Sequence, residues 1–293
     1  MSTTVPPLTR EIPFCWTGKT VESYLKTTLR LSRGFIRSLK RTNGIFINGI
    51  PVKTSYRFLG GEQLCIVLTP RSQTIQPEIL PLEVIYEDPD VIVVNKPAGQ
   101  LVHPVRNQKT GTLANALVGY WLSLNETASF HPIHRLDKTT SGLVLVAKSS
   151  WAHQQLASQL ENDRLHRLYL AVCSGRPTRK SALITLPVQE TKYVMKRQIA
   201  ANGKTARTVW RVLRIYPSGA LMAVKLHSGR THQIRVHLSH IGLPLRGDAL
   251  YGRPDPKIDR PALHAVRLRF IHPRTGDRIK LTAPIPRDFL SLI

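Results

Sequence analysis

Cysteine is nearly absent from this chain. Cys15, Cys65 and Cys173 are too few and too far apart for a disulfide framework or a paired-cysteine zinc site. That usage fits a reducing compartment, and the cytoplasm is the expected location. Acidic residues are also scarce, 18 against 42 Lys and Arg, which leaves a net charge of +24. Such an excess attracts polyanions through phosphate contacts and counterion release. No apolar run approaches the ~20 residues of a membrane span. No basic amphipathic helix offers a broad apolar face to a lipid surface, and residues 1–13 lack the apolar core of a signal peptide. Nucleic acid is therefore the expected partner, with no membrane and no obligate protein partner.

Glycine-rich nucleotide loops are missing too, as are metal-ligand spacings. His232, His237 and His240 do not follow the HExxH pattern, and no Cys or carboxylate sits beside them to complete a metal shell. No metal and no cofactor is expected. What is present is an ordinary 42% of hydrophobic residues in 293, enough for two domains with proper cores.

Residues 1–13 read as a loose arm, with Pro6-Pro7 and little to pack. A small unit follows over 14–69. Val21, Leu25 and Leu29 recur at helical spacing over Val21 to Leu31. Ser32 is placed to cap a second helix carrying Phe35, Ile36 and Leu39, which ends at Asn43-Gly44. Ile45-Phe46-Ile47 and Ile50-Pro51-Val52 flank Asn48-Gly49, a hairpin signal, and Gln63 to Leu68 is a last strand. On the second helix Arg33, Arg37 and Lys40 recur at i, i+4 and i+7 and so share one face. That stripe is either solvated or, as the absence of acids between Glu22 and Glu62 favours, a contact for the RNA backbone. Residues 70–81 read as a linker. From 82 onward short β-rich runs dominate, at Val91–Val94, Leu143–Ala147, Tyr169–Cys173, Val209–Leu213, Leu221–Leu226 and Gln233–His237. Helical stretches at Thr112–Trp121 and Trp151–Leu160 lie between them. The pattern implies an α+β domain over 82–293.

One stretch concentrates chemistry: His134-Arg135-Leu136-Asp137-Lys138-Thr139-Thr140-Ser141-Gly142. It sets a carboxylate among cations just before an apolar strand. Such an Asp can serve as nucleophile or base, or it can simply cap backbone N–H groups in a turn. A Ser141–His134 nucleophile pair lacks the G-x-S-x-G context and is set aside.

His134-Arg135-Leu136-Asp137 with Thr140-Ser141-Gly142 resembles the signature of the RluA-type pseudouridine synthases. Arg167-Leu168-Tyr169-Leu170-Ala171 resembles that family's tyrosine motif. Gly229-Arg230-Thr231-His232-Gln233-Ile234-Arg235-Val236-His237 resembles its arginine motif, followed by Gly247-Asp248 and Leu250-Tyr251-Gly252. Tyr86-Glu87-Asp88, Asn95-Lys96-Pro97-Ala98-Gly99 and Leu263-His264-Ala265 also fit, in family order, over about residues 82 to 288. Arg167 stands where lysine is expected, and Trp210 where tyrosine is usual. The helix–helix–hairpin order of 14–69, with Ser32-Arg33, Asn48-Gly49 and Gly61-Glu62, resembles the S4 RNA-binding module, although Gly-Asp is commoner than Gly61-Glu62.

The resemblance implies a catalytic domain built on a mixed, mainly antiparallel sheet with a central cleft, joined to the small S4-like module. It implies isomerisation of uridine in RNA, by cleavage of the N1–C1′ bond and rejoining through C5, a reaction that needs no redox or metal cofactor. Asp137 would be the essential carboxylate, attacking sugar or base or removing a sugar proton. Arg235 would be its cationic partner. Tyr169 would stack on the uracil, although a tyrosine in so apolar a run otherwise reads as core. Arg135 would fill the space left by a flipped uridine or contact a phosphate. His134, Arg230, His232 and Gln233 would lie against RNA. Ribosomal RNA is the expected substrate and transfer RNA the alternative. A non-catalytic RNA-binding or ribosome-assembly factor, or an N-glycosidase, would use the same fold differently.

Overall fold

The computed structural model describes residues 3–69, 74–191 and 196–293. The expected loose arm over 1–13, of which 1–2 lie outside the described residues, is corrected over 8–12. Strand β1 (Leu8–Glu11) pairs antiparallel with Gln63–Ile66, Leu8 opposite Ile66, and Leu8 and Ile12 are buried. The reason is an open edge: Gln63–Ile66 would otherwise leave a row of unpaired backbone groups, and one inward Leu suffices to anchor an edge strand.

The rest of the N-terminal unit follows its sequence. Thr20 caps α1 (Val21–Thr27) by accepting the Ser23 N–H, and Val21, Tyr24 and Leu25 turn inward. The helix stops short of Leu31, and Arg30 takes a left-handed conformation (φ 51°). Ser32 accepts the Phe35 N–H to cap α2 (Arg33–Arg41), which buries Phe35, Ile36 and Leu39. Strands β2 (Ile45–Ile47) and β3 (Ile50–Pro51) turn at Asn48 and Gly49, both at positive φ as a tight type I′ hairpin requires. With β4 (Gln63–Ile66) they form a four-stranded sheet in the order β1-β4-β2-β3.

A ten-stranded sheet forms the larger unit. Its strands are β5 (Val84–Glu87), β6 (Val91–Lys96), β7 (Ser141–Ala147), β8 (His166–Cys173), β9 (Ser181–Ile184), β10 (Thr208–Tyr216), β11 (Gly219–Leu226), β12 (Leu263–Ile271) and β13 (Arg278–Thr282). The spatial order is β9-β10-β11-β8-β12-β7-β6-β5, with β13 added to β12 and His131–Pro132 to β7. Neighbours run antiparallel except β7 and β12, which are parallel. The mixed, mainly antiparallel α+β architecture is the expected one.

β7 is buried along its whole length, and its side chains alternate between two apolar clusters. Val144 and Val146 join Val94, Tyr169, Trp210, Ile234 and Leu238 on one side. Leu143 and Leu145 join Trp151 and Leu156 on the other, and this second cluster continues into Leu25 and Ile36 of the N-terminal unit. Each fully buried Leu or Val is worth ~1.5–3 kcal/mol, so this shared core outweighs any surface ion pair in fastening the two units.

Helix α3 (Leu113–Ser123) begins with a reciprocal Thr112–Asn115 capping box, and Asn115 also donates to the Gln76 carbonyl. The described part of the expected linker, 74–81, is thus docked on this helix. Helix α4 (Ser150–Glu161) links the units through Gln154, which donates to the Arg30 carbonyl and accepts the Ser32 N–H at 3.0 Å. Arg274 makes a second link. Its guanidinium grips Asp90 at 2.5 and 2.7 Å and donates to the carbonyls of Pro6 and Pro7. Asp88, Asp90 and His272 crowd together beside it. Asp90 is gripped by Arg274, Asp88 accepts the Tyr86 hydroxyl and backbone N–H groups, and His272 accepts backbone N–H groups at Nδ1 while its Nε2 lies 2.9 Å from Asp88 Oδ2. Among the described residues no helix is long and apolar enough to cross a membrane.

Candidate active site

Asp137 sits in the loop that runs into β7, and its carboxylate is 21% exposed. The loop closes with a hydrogen bond from the Thr140 N–H to the Asp137 carbonyl at 3.0 Å. Gly142 then lets the chain pass against β12: at its φ of 114° a Cβ would run into the Ala265 carbonyl oxygen. Only glycine brings the Asp137 loop this close to the middle of the sheet.

Behind the loop lies Lys96, whose Nζ donates to the carbonyls of Pro97 (2.7 Å), Gln100 (2.8 Å) and Lys138 (3.3 Å). Burial pushes its pKa down to about 7, and the Asp137 charge works against that fall. Three carbonyls occupy its three N–H donors, which only the ammonium form satisfies. Lys96 therefore ties the Asp137 loop to the loop after β6.

Arg235 comes from helix α5 (Gln233–His240). This is a correction, since Gln233–His237 reads as a strand in the sequence. Its alternating apolar residues arise because α5 is enclosed on several sides: Ile234 and Leu238 enter the core, while Val236 faces a second cluster. His232, at φ 57°, breaks the chain into the helix. The Gln233 side chain accepts hydrogen bonds from the Arg230 N–H and the Ser228 hydroxyl, and donates to the Arg207 carbonyl and Thr208 Oγ1. Gln233 is thus buried and fully engaged, so its expected contact with RNA is corrected to a structural tie.

The Arg235 guanidinium is divided between two carboxylates. Nε and Nη2 each lie 2.8 Å from the Asp248 oxygens, whereas Nη1 lies 3.9 Å from Asp137 Oδ2. Asp248 is fully buried and also accepts the N–H groups of Leu250 and Tyr251. The Tyr251 ring lies 5.0 Å from the Arg235 guanidinium, and its hydroxyl meets His232 Nδ1 at 3.0 Å. Burial lowers the pKa of His232, and the nearby Asp137 charge opposes this. Asp248, Tyr251 and Lys96 carry the geometry, yet sequence reasoning assigns them no role. Their signal is present in Gly247-Asp248, Leu250-Tyr251 and Asn95-Lys96, which stand out there only as motifs.

Tyr169 on β8 is 3% exposed, and burial raises its phenol pKa. The Asp137 charge raises it further and the Arg167 charge opposes the rise. Arg135 and Arg230 are exposed and His232 half-buried, so all three reach solvent. His134 does not. It is buried, its Nε2 accepts the Leu145 N–H at 3.4 Å, and its expected RNA contact is withdrawn. On α2, Arg33 and Arg37 are exposed, but Lys40 is paired with Glu22 at 3.0 Å, an acid from outside its own helix.

His134 yields an expected pH effect. Burial, helped by Arg167, holds its pKa down to about 3, well below the usual 6.5. The folded state refuses a proton that the unfolded chain accepts, so stability is full above about pH 6.5 and falls as pH drops toward 3. Urea unfolding should show a loss of about 2 kcal/mol from this group between pH 7 and 5. That loss should be smaller by the same amount in His134→Gln.

The chain matches the model of the RNA pseudouridylate synthase family over residues 90–240. It is 39% identical over 269 residues to the uncharacterized RNA pseudouridine synthase YlyB of Bacillus subtilis, covering 89% of this chain and 88% of that one. It is 36% identical over 277 residues to the ribosomal large subunit pseudouridine synthase D of Neisseria meningitidis serogroup B, covering 89% and 74%. Among solved structures, human RNA pseudouridylate synthase domain containing 1 superimposes with a TM-score of 0.57 at 26% identity, over 71% of this chain and 85% of that one. The chain belongs to the RNA pseudouridylate synthase family. It is an isomerase that acts on RNA.

Proposed function

We propose that this protein converts defined uridines of ribosomal RNA to pseudouridine in the cytoplasm, with Asp137 as the essential carboxylate. The carrying observation is the shared guanidinium: Asp248 fixes two Arg235 donors and leaves Nη1 aimed at Asp137. Attack on the sugar, attack on the base and removal of a sugar proton all begin from a carboxylate held in place. The uracil would lie between Asp137 and the Tyr169 phenol, with Arg135 in the vacated stack and Arg230 and His232 against the flanking backbone. Ribosomal RNA is favoured over transfer RNA because relatives such as the Neisseria meningitidis protein carry that substrate in their names.

The test is pseudouridine mapping of total RNA from cells with and without the gene, followed by add-back. A ribosomal site lost with the gene and restored by wild type but not by Asp137→Asn is expected. Loss at a transfer RNA site would replace the ribosomal assignment, and no lost site would overturn the reading.

Residues 14–69 are proposed to be an S4-type RNA-binding domain, joined through 70–81 to the catalytic domain 82–293. Arg33 and Arg37 on α2 are its backbone contacts. Replacing both by Ala should weaken binding to RNAs of any sequence and flatten the log–log salt slope by about two. Lys40→Ala should change the slope less than either, because Glu22 already neutralises it. Filter binding over a salt series checks both.

A further inference from the structure

The ten-stranded sheet has a second charged surface that catalysis does not use. Successive residues of a strand face opposite sides, so on β8 His166 and Leu168 point away from the side that carries Tyr169. The register places other cations on that far side. His166 is opposite Arg269, and Leu168 is opposite Arg267 on β12 and Lys225 on β11. Arg269 is in turn opposite Lys280 on β13, with Arg278 two positions along the same face. Cations on β11, β12 and β13 thus share this face, while between them β8 contributes Leu168 and His166, whose pKa burial and the nearby Lys225 charge push down.

Arg269 and Lys280 form a like-charge pair directly across two strands, an arrangement that costs stability. Among the described residues, Arg267, Arg269, Arg278 and Lys280 have no carboxylate partner, and the Arg267 Nε is buried without an acceptor. At one border Asp163 is shared by Lys225 and His227 at 3.4 and 3.0 Å with His166 more distant, and at the other the exposed Asp277 precedes Arg278. Arg269, Arg278 and Lys280 are exposed. The N-terminal unit does not cover this row, because it packs on Leu268 and Phe270, which alternate to the opposite side of β12.

We infer that this face, formed by Arg267, Arg269, Arg278 and Lys280 with Lys225, binds the phosphate backbone of a helical RNA segment outside the catalytic cleft. Alternate residues recur about 6.6 Å along a strand and neighbouring strands lie about 4.8 Å apart. The result is a two-dimensional cation array that a folded polyanion neutralises and a small anion does not. The contact positions RNA without reading sequence. A large structured RNA would then be held on both sides of the sheet, with the target loop in the cleft and a distant helix on this face. The inference does not depend on Asp137 being the catalytic group.

The test uses the full chain and an RNA duplex that contains no uridine, which offers the catalytic cleft no substrate. In the triple variant Arg267→Gln, Arg269→Gln, Lys280→Gln, duplex affinity should fall and the log–log salt slope should flatten by about two to three. The melting temperature should hold or rise, because a like-charge pair is removed. Photo-cross-linking of the duplex to wild type should label peptides spanning 266–271 or 278–282. An unchanged slope together with no label in these peptides would overturn the inference. So would a variant that keeps duplex binding but loses binding to vesicles rich in phosphatidylserine, which would make the face a lipid contact. Pseudouridine formation is scored separately, so a wild type that binds the duplex here yet makes no pseudouridine would reject the catalytic reading and leave this one standing.

Discussion

Asp137→Asn should lower single-turnover pseudouridine formation by on the order of 10⁴-fold or more, while RNA affinity stays within a few-fold of wild type. The expectation follows from where the charge sits. Asp137 contributes one oxygen at 3.9 Å to Arg235, whereas Asp248 holds the same guanidinium through two bonds of 2.8 Å. Removing the Asp137 charge therefore leaves Arg235 anchored, and the nearly isosteric amide leaves the loop anchored by Lys96 and the Thr140 turn. Only the nucleophilic or basic oxygen is lost. The net charge of +24 offers RNA many other cations, so binding should persist. The measurement is single-turnover formation of pseudouridine with enzyme in excess, beside filter binding of the same RNA. Activity within tenfold of wild type would remove Asp137 from the chemistry. A parallel fall in affinity and rate would instead mark it as a substrate-binding group.

The sequence reveals this site unevenly, for reasons visible in particular residues. Local codes are legible. Ser32 and Thr112 cap helices where a hydroxyl precedes an apolar run, and Asn48-Gly49 turns a hairpin because both accept positive φ. Asp137 is legible as a carboxylate among cations. The Arg235 environment is not, because it depends on contacts distant in the chain. Ile234, Val236 and Leu238 alternate like a strand, yet α5 is a short helix buried on more than one side, where period-2 and helical readings cannot be told apart. The edge strand β1 is hidden for a related reason. One buried Leu in Leu8–Glu11 gives no pattern, and the strand exists because β4 has a free edge. His134 illustrates the opposite failure: a polar residue beside a catalytic candidate reads as an RNA contact, whereas it is buried as a neutral ring against the Leu145 N–H of β7.

Asp248→Ala should destabilise the protein by about 3–5 kcal/mol, the cost of leaving a buried charge without its partner. The Arg235 side chain is 7% exposed and cannot reach water without leaving the core. Two backbone N–H groups, of Leu250 and Tyr251, would lose their acceptor as well. The variant also has a chemical consequence. Freed from Asp248, Arg235 would close the 3.9 Å gap and engage Asp137 directly, occupying the oxygen that the reaction needs. Activity measured at a temperature where the variant is folded should therefore remain low. A double variant separates the two effects. Replacing Arg235 by Met and Asp248 by Leu together removes both charges, and apolar replacements of buried ion pairs are often neutral or stabilising. Urea unfolding of that double variant should recover most of the lost stability, while pseudouridine formation stays near background. Recovered stability with recovered activity would show that the ion pair merely holds the fold. Stability without activity would show that the buried pair is kept for the position it imposes on Arg235 in front of Asp137.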